Sequence, residues 1–268
     1  MTATSFSIFK ELHTGSTPLL LPNAWDAASA VLFERDGARA VATSSASLAW
    51  ALGYADGGTV PRDELLAAVR RIMRVIRVPL SVDIEDGYSD DADTVAALAA
   101  DLQQCGVAGI NLEDGGGAPE LLVAKIKAIR NRLAGAECFI NARTDVYLRE
   151  LASGDAAIQM AITRTQAYQA AGASAAFLPG LSDVATVSTI SQALDISINI
   201  MAVPGMPDIK QLFAAGCRRF SLGPAPFQLA YHHGRQEVHQ FLHQGQTAAL
   251  FQHELSYPYM NAALSGEA

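Results

Sequence analysis

The sequence predicts a (β/α)8 TIM-type barrel with extra C-terminal helices, on three observations. Short apolar runs alternate with helix-period segments between residues 18 and 222, the pattern of repeated βα units. Four stretches share one layout: RDGARAVATS, QCGVAGINLE, AAGASAAFLP and AAGCRRFSLG each pass through a glycine (Gly37, Gly106, Gly172, Gly216) into an apolar run. Those glycines lie 69, 66 and 44 residues apart, against about 30 for one βα unit, so they mark every second unit. Beyond residue 224 the sequence is helix-like, with no further strand.

The elements follow in order. Residues 18–22 (PLLLP), 79–83 (PLSVD), 137–141 (ECFIN) and 197–201 (SINIM) supply the runs between the four glycine-led ones, giving eight strand candidates. Helical periodicity covers 61–77, 90–104, 119–133, 154–171, 182–193 and 206–214. Pro61 and Pro119 suit first helical turns. Glycine supplies the left-handed residue that ends the preceding helix. An open doubly wound sheet is the alternative, but no GxGxxG or GxxxxGK[ST] follows a strand. No linker splits the chain, so residues 1–268 read as one domain with a helical extension over about 224–268.

Composition removes several function classes. A net charge of −8 argues against a nucleic-acid partner. No apolar run reaches the roughly 18 residues of a membrane span, and MTATSFSIFKELHTG lacks a signal-peptide layout. The three cysteines have no CxxC spacing, so neither a zinc site nor a disulfide framework is expected. The expectation is a cytoplasmic protein.

Chemistry in such a barrel gathers at the C-terminal strand ends. Those ends carry Asn23, Trp25 and Asp26; Thr43, Ser44, Ser45 and then Asp56; Asp83, Glu85 and Asp86; Asn111, Glu113 and Asp114; Asn141, Arg143, Thr144 and Asp145; and Asn199. The sixth and eighth strands end in LPG and LGP, with little ionisable chemistry. All six histidines lie outside 18–222 and no lysine sits at a strand end, which excludes a Schiff-base lysine there and, unless the C-terminal tail reaches in, an imidazole base or ligand. Clustered carboxylates without imidazole or thiolate suit a hard cation such as Mg2+. Strand period places Asp83 and Glu85 on one side. Asp90, Asp91 and Asp93 read as caps of the next helix, and Asp86 as turn chemistry or a site residue. Arg143 is either a counter-ion or a bidentate carboxylate clamp. Ser44-Ser45-Ala46 is a plain turn or a backbone anion site. His239 and His243, one helical turn apart, read as a surface pair.

LPNAWD (21–26), TSSASLAWALGYAD (43–56), VDIEDGY (82–88), NLED (111–114) and NARTD (141–145), in that order and spacing, resemble the isocitrate lyase/phosphoenolpyruvate mutase superfamily. The resemblance implies an Mg2+-dependent barrel, with Mn2+ as the alternative cation. Such barrels often assemble as helix-swapped dimers or tetramers. It implies Asp83 as direct metal ligand, with Asp56, Glu85 and Glu113 holding the metal's waters. Ser45 and Ala46, with Ser44 beside them, would bind the substrate carboxylate. Arg143 would be the substrate arginine and Trp25 part of the pocket wall. The implied reaction makes or breaks a bond next to a 2-oxo acid such as pyruvate, oxaloacetate or 2-oxoglutarate.

One segment departs from the family pattern. Where isocitrate and methylisocitrate lyases carry a KKCGH loop, this chain reads EDGGGAPELLVAKIK. The loop thiol is missing, and the first lysine, Lys125, falls inside a predicted helix. The expectation is therefore a lyase or hydrolase cleaving a C–C bond next to a 2-oxo or 2-hydroxy carboxylate, other than isocitrate or methylisocitrate lyase. Asp56, Glu85, Tyr54 and Tyr88 are the acid/base candidates. A non-catalytic 2-oxo acid binder and a phosphonate mutase or hydrolase are the alternatives. Gly115-Gly116-Gly117 is expected to act as a short flexible lid.

Overall fold

The computed structural model describes residues 4–134 and 137–265. Its strands are β1 (Leu19–Leu21), β2 (Asn23–Ala24), β3 (Val41–Thr43), β4 (Leu80–Asp83), β5 (Gly109–Glu113), β6 (Phe139–Arg143), β7 (Ala175–Phe177), β8 (Ser197–Met201) and β9 (Cys217–Ser221). All are parallel, in the order β1-β9-β8-β7-β6-β5-β4-β3-β2. The eight predicted strands are present, with the first split in two. Pro22 has no N–H for the ladder and interrupts the strand. β1 pairs only with β9 and β2 only with β3, so the chain itself closes the barrel at Pro22. Asn23 ties this seam: its Nδ2 donates to the Thr43 carbonyl at 2.8 Å, while its Oδ1 accepts from the N–H groups of Leu222 and Gly223 at 2.8 and 3.0 Å.

The helices are α1 (Ser5–Leu12), α2 (Ala27–Arg35), α3 (Ser45–Leu52), α4 (Arg62–Val75), α5 (Ala92–Gln104), α6 (Pro119–Arg132), α7 (Gly154–Ala171), α8 (Val184–Gln192), α9 (Ile209–Ala214), α10 (Ala225–Gln244) and α11 (Tyr257–Ser265). All six helical periodicities are realised as α4 to α9. Asp91 caps α5, accepting from Asp93 N–H at 3.1 Å and Thr94 Oγ1 at 2.7 Å, as expected of an N-terminal aspartate.

Strand residues alternate between two environments. Ile110, Leu112, Ile140 and Ala142 join the apolar layer under the helices, while Asn111 and Asn141 turn into the barrel and bond to each other at 2.8 Å. α1 closes the far end. Phe9 is fully buried among Leu19, Leu21, Ala42 and Phe139, and its ring meets Phe139 edge-on at 5.2 Å. Alanines at 40, 42, 108 and 175 leave room for those rings.

Beyond the barrel, α10 buries only Phe227, and Leu229, Phe241 and Leu242 are exposed on it. α11 returns to α2, where Arg35 stacks over Tyr259 at 5.3 Å and donates to the Ala262 carbonyl. Among the described residues no helix is long and apolar enough to cross a membrane.

Candidate active site

At the C-terminal mouth, β3 runs into α3. Ser44 caps that helix, its Oγ accepting from Ser47 N–H at 3.4 Å. Ser45 and Ala46 are its first two residues, whose N–H groups have no partner within the helix. The stretch that reads as a turn is thus a helix N-terminus, where anions are favoured. Both residues line a cavity of about 160 Å³ together with Asp56, Asp83 and Arg143.

Asp83 ends β4 and is buried. Its N–H donates to Thr43 Oγ1 at 2.9 Å, its Oδ1 accepts from Glu85 N–H at 3.0 Å and its Oδ2 from Asn111 Nδ2 at 3.2 Å. Burial pushes its carboxyl above the usual range, against the pull of Arg143 and these hydrogen bonds. The following turn is strained: Glu85 and Tyr88 have φ of 53° and 59°, a region costly for residues other than glycine. Gly87 has φ of 95°, and a Cβ there would lie 2.6 Å from Val95. Asp86 serves the turn, its Oδ1 accepting from Tyr88 N–H at 2.9 Å. Lys125 is buried in α6, where it was expected, and holds the Asp86 carbonyl at 2.8 Å.

The left-handed Glu85 changes one expectation. Strand phase ends at Asp83, so Glu85 does not share its direction. Glu85 and Glu113 line a neighbouring chamber of about 410 Å³, with Asp86, Asp90, Asp114 and Lys125. Among the described residues no three His, Cys, Asp or Glu side chains form a ready-made metal cluster. Burial, with Asp56 and Asp83 nearby, pushes Glu85 up to about 7. Burial likewise pushes Glu113 up to about 8, even with Arg143 beside it.

Arg143 stands between the two cavities. Its Nη1 meets Glu113 Oε2 at 2.6 Å, and its Nε and Nη2 bind Asp145 Oδ1 and Oδ2 at 2.6 and 3.0 Å. Two of its five N–H donors make hydrogen bonds to Asp145, and Nη1 forms an ion pair with Glu113. Burial would lower its pKa, but Glu113 and Asp145 outweigh that and raise it. Arg143 is therefore a counter-ion in this structure and also borders the smaller cavity.

Asp114 staples the loop after β5. Its Oδ2 accepts from Thr144 Oγ1, Arg164 Nη1 and Tyr168 Oη, each at 2.7 Å. Its Oδ1 accepts from the N–H groups of Gly116 and Asp145 at 3.1 and 3.2 Å. Gly117 N–H also returns to the Asp114 carbonyl at 2.7 Å. The glycine segment is thus a tight anchored turn rather than the free lid expected.

Two other expectations are corrected. Trp25 does not line the acid cavity; Asp26 caps α2 and turns the chain outward. The indole packs edge-on against Phe227 at 5.4 Å and Phe33 at 6.2 Å, in an apolar groove of about 480 Å³ between α2 and α10. Tyr54 donates to Glu64 Oε1 at 2.7 Å on α4 and does not line either acidic cavity. Tyr88 stays beside Glu85, its hydroxyl pushed up by burial and by that carboxylate.

Sequence reasoning missed Arg219. The eighth strand position was read as poor in ionisable chemistry, yet Arg219 of β9 is fully buried. Its Nη2 donates to Asn111 Oδ1 at 3.1 Å, and burial lowers its pKa to about 9. The signal was present: in RRFS, Phe220 belongs under the helices, so strand alternation turns Arg219 inward.

Fold and mouth together define a parallel βα barrel with a small oxygen-lined, arginine-bearing pocket at its C-terminal end. The phosphoenolpyruvate phosphomutase family model matches residues 9–242, and the chain belongs to that family. It is 36% identical over 224 residues to an uncharacterized protein of Mycobacterium tuberculosis H37Rv, covering 82% of this chain and 83% of that protein. It is 29% identical over 204 residues to 2-methylisocitrate lyase of Escherichia coli K12, covering 71% and 67%. A crystal structure from Burkholderia cenocepacia J2315 superposes with a TM-score of 0.83 at 34% identity, covering 88% of this chain and 98% of that one.

Proposed function

We propose that the protein is an Mg2+-dependent lyase or hydrolase that cleaves a C–C bond next to a 2-oxo or 2-hydroxy carboxylate, through the enolate of a small 2-oxo acid. One observation carries this reading: the α3 N-terminus, Arg143, Asp56 and Asp83 border the same cavity of about 160 Å³.

The donor set fits Mg2+, which takes one or two carboxylates directly and keeps several waters. Asp83 would hold it directly, with Asp56, Glu85 and Glu113 acting through water. When bound, the metal supplies a Lewis acid for the 2-oxo group. The N–H groups of Ser45 and Ala46 hold the substrate carboxylate. The N–H donors of Arg143 not bonded to Asp145 meet negative charge as it develops. Glu85, pushed up to about 7, suits proton transfer near neutrality; Asp56 borders the same small cavity and is the other candidate base. The missing loop thiol argues against isocitrate or methylisocitrate as substrate.

P–C chemistry is the second reading, favoured by the family model and by Lys125 at the larger chamber. Five carboxylates (Glu85, Asp86, Asp90, Glu113 and Asp114) line that chamber, an unfavourable setting for a phosphonate dianion. Exposed apolar residues on α10 support a homo-oligomer built through the C-terminal helices. A cytoplasmic location is part of the same reading.

The test strips the protein with EDTA and titrates pyruvate, oxaloacetate and 2-oxoglutarate by calorimetry, with and without Mg2+, assaying each mixture for product. Mg2+-dependent binding with turnover supports the proposal. Binding without product across a broad 2-oxo acid panel points to a non-catalytic binder. No binding to folded protein rejects the site.

A further inference from the structure

Arg219 is an arginine in the centre of the barrel, where a charge is costly unless it does something. It is fully buried. Its Nε and Nη1 have no hydrogen-bond partner, so the guanidinium is not held there by an ion pair of its own. Its Nη2 donates to Asn111 Oδ1 at 3.1 Å. The same oxygen accepts from Asn141 Nδ2 at 2.8 Å. With two donors on Oδ1, the Asn111 amide can turn only one way, and its Nδ2 faces Asp83 Oδ2 at 3.2 Å. Glu85 N–H takes the other carboxylate oxygen.

We infer that Arg219 is a positioning residue: through Asn111 it fixes the carboxylate plane of Asp83, which opens on the small cavity. The inference deepens the proposed function and rests on it for its ligand. Supports of this kind around a metal-binding side chain typically contribute 10–100-fold in metal affinity. Arg219 lines neither cavity; it acts on Asp83 through the Asn111 hydrogen bond and through its charge.

Two readouts test this. The first needs no ligand: hydrogen exchange of the Asn111 side-chain amide, assigned by its loss in Asn111→Leu. Arg219→Met should speed that exchange at least ten-fold, and unchanged exchange overturns the relay. The second is Mn2+ affinity, read by electron paramagnetic resonance with pyruvate present. Arg219→Met should weaken binding about ten-fold or more, and Arg219→Lys, which keeps one donor for Asn111, should stay within about three-fold of the parent. In an Asn111→Leu background Arg219→Met should add clearly less than it costs alone, because the hydrogen-bonded path is already cut and only the charge interaction with Asp83 remains. A loss that adds in full would mean a merely structural arginine and overturns the inference. Should the Met variant not fold, the Lys variant decides: a ten-fold loss there overturns it. If the parent protein binds no Mn2+, the proposed function fails, while the amide exchange still judges the relay.

Discussion

Arg143 grips Asp145 through two parallel hydrogen bonds, Nε to Oδ1 at 2.6 Å and Nη2 to Oδ2 at 3.0 Å, while its Nη1 reaches Glu113 at 2.6 Å. A planar fork makes all three contacts at once; an ammonium does not. Arg143→Lys is therefore expected to raise KM or the pyruvate dissociation constant about ten-fold. Calorimetry on the folded variant checks it, and an unchanged constant would remove Arg143 from the substrate site.

Asp83 is the buried carboxylate that lines the smaller cavity and accepts from Asn111. Asp83→Ala should abolish the Mg2+ dependence of pyruvate binding and any metal-dependent turnover. A titration that still shows Mg2+-dependent binding would sink the assignment.

The acids predict a stability profile with pH. Glu85 and Glu113 have folded values of about 7 and about 8, raised by burial. Between about pH 4.5 and those values the folded state holds more protons than the unfolded one, so stability falls as pH rises across that window and levels off above about 8. His13 acts oppositely: burial lowers it to about 3, so its contribution grows with pH until about 6.5. Two carboxylates outweigh one imidazole, so in EDTA Tm should be highest at about pH 4.5–5, fall toward pH 8 and level off above it. Glu85→Gln with Glu113→Gln should flatten the alkaline fall. A Tm that rises between pH 6.5 and 8.5 in EDTA contradicts this.

Phe9 is fully buried against Leu19, Leu21 and Phe139. Phe9→Ala should cost about 3–5 kcal/mol in a urea melt and leave pyruvate affinity within two- to three-fold. A loss below about 1 kcal/mol would mean that α1 does not plug the barrel.

The apolar side chains on α10 give the oligomer prediction. Leu242 is 69% exposed and Phe241 49%. Light scattering should find a dimer or tetramer, and Leu242→Glu with Phe241→Glu should shift it toward monomer. A monomeric parent protein at micromolar concentration would refute it.

The strand-and-helix order was legible in the sequence because it rests on local physics. Apolar runs, helical periods and glycine stops placed eight strand positions and six of the outer helices, and strand-end chemistry named Asp56, Asp83 and Arg143 beforehand. What those side chains do was decided by the tertiary structure. Glu85 left the phase of Asp83 because its backbone is left-handed, which strand alternation does not foresee. Trp25 went to the outer groove because Asp26 caps α2. The expected lid is a stapled turn because Thr144, Arg164 and Tyr168, distant in sequence, converge on Asp114. Arg219 lies 108 residues from Asn111, and only barrel closure brings the two together. Periodicity tells which way a side chain points; which group it meets depends on how the far ends of the chain fold against each other.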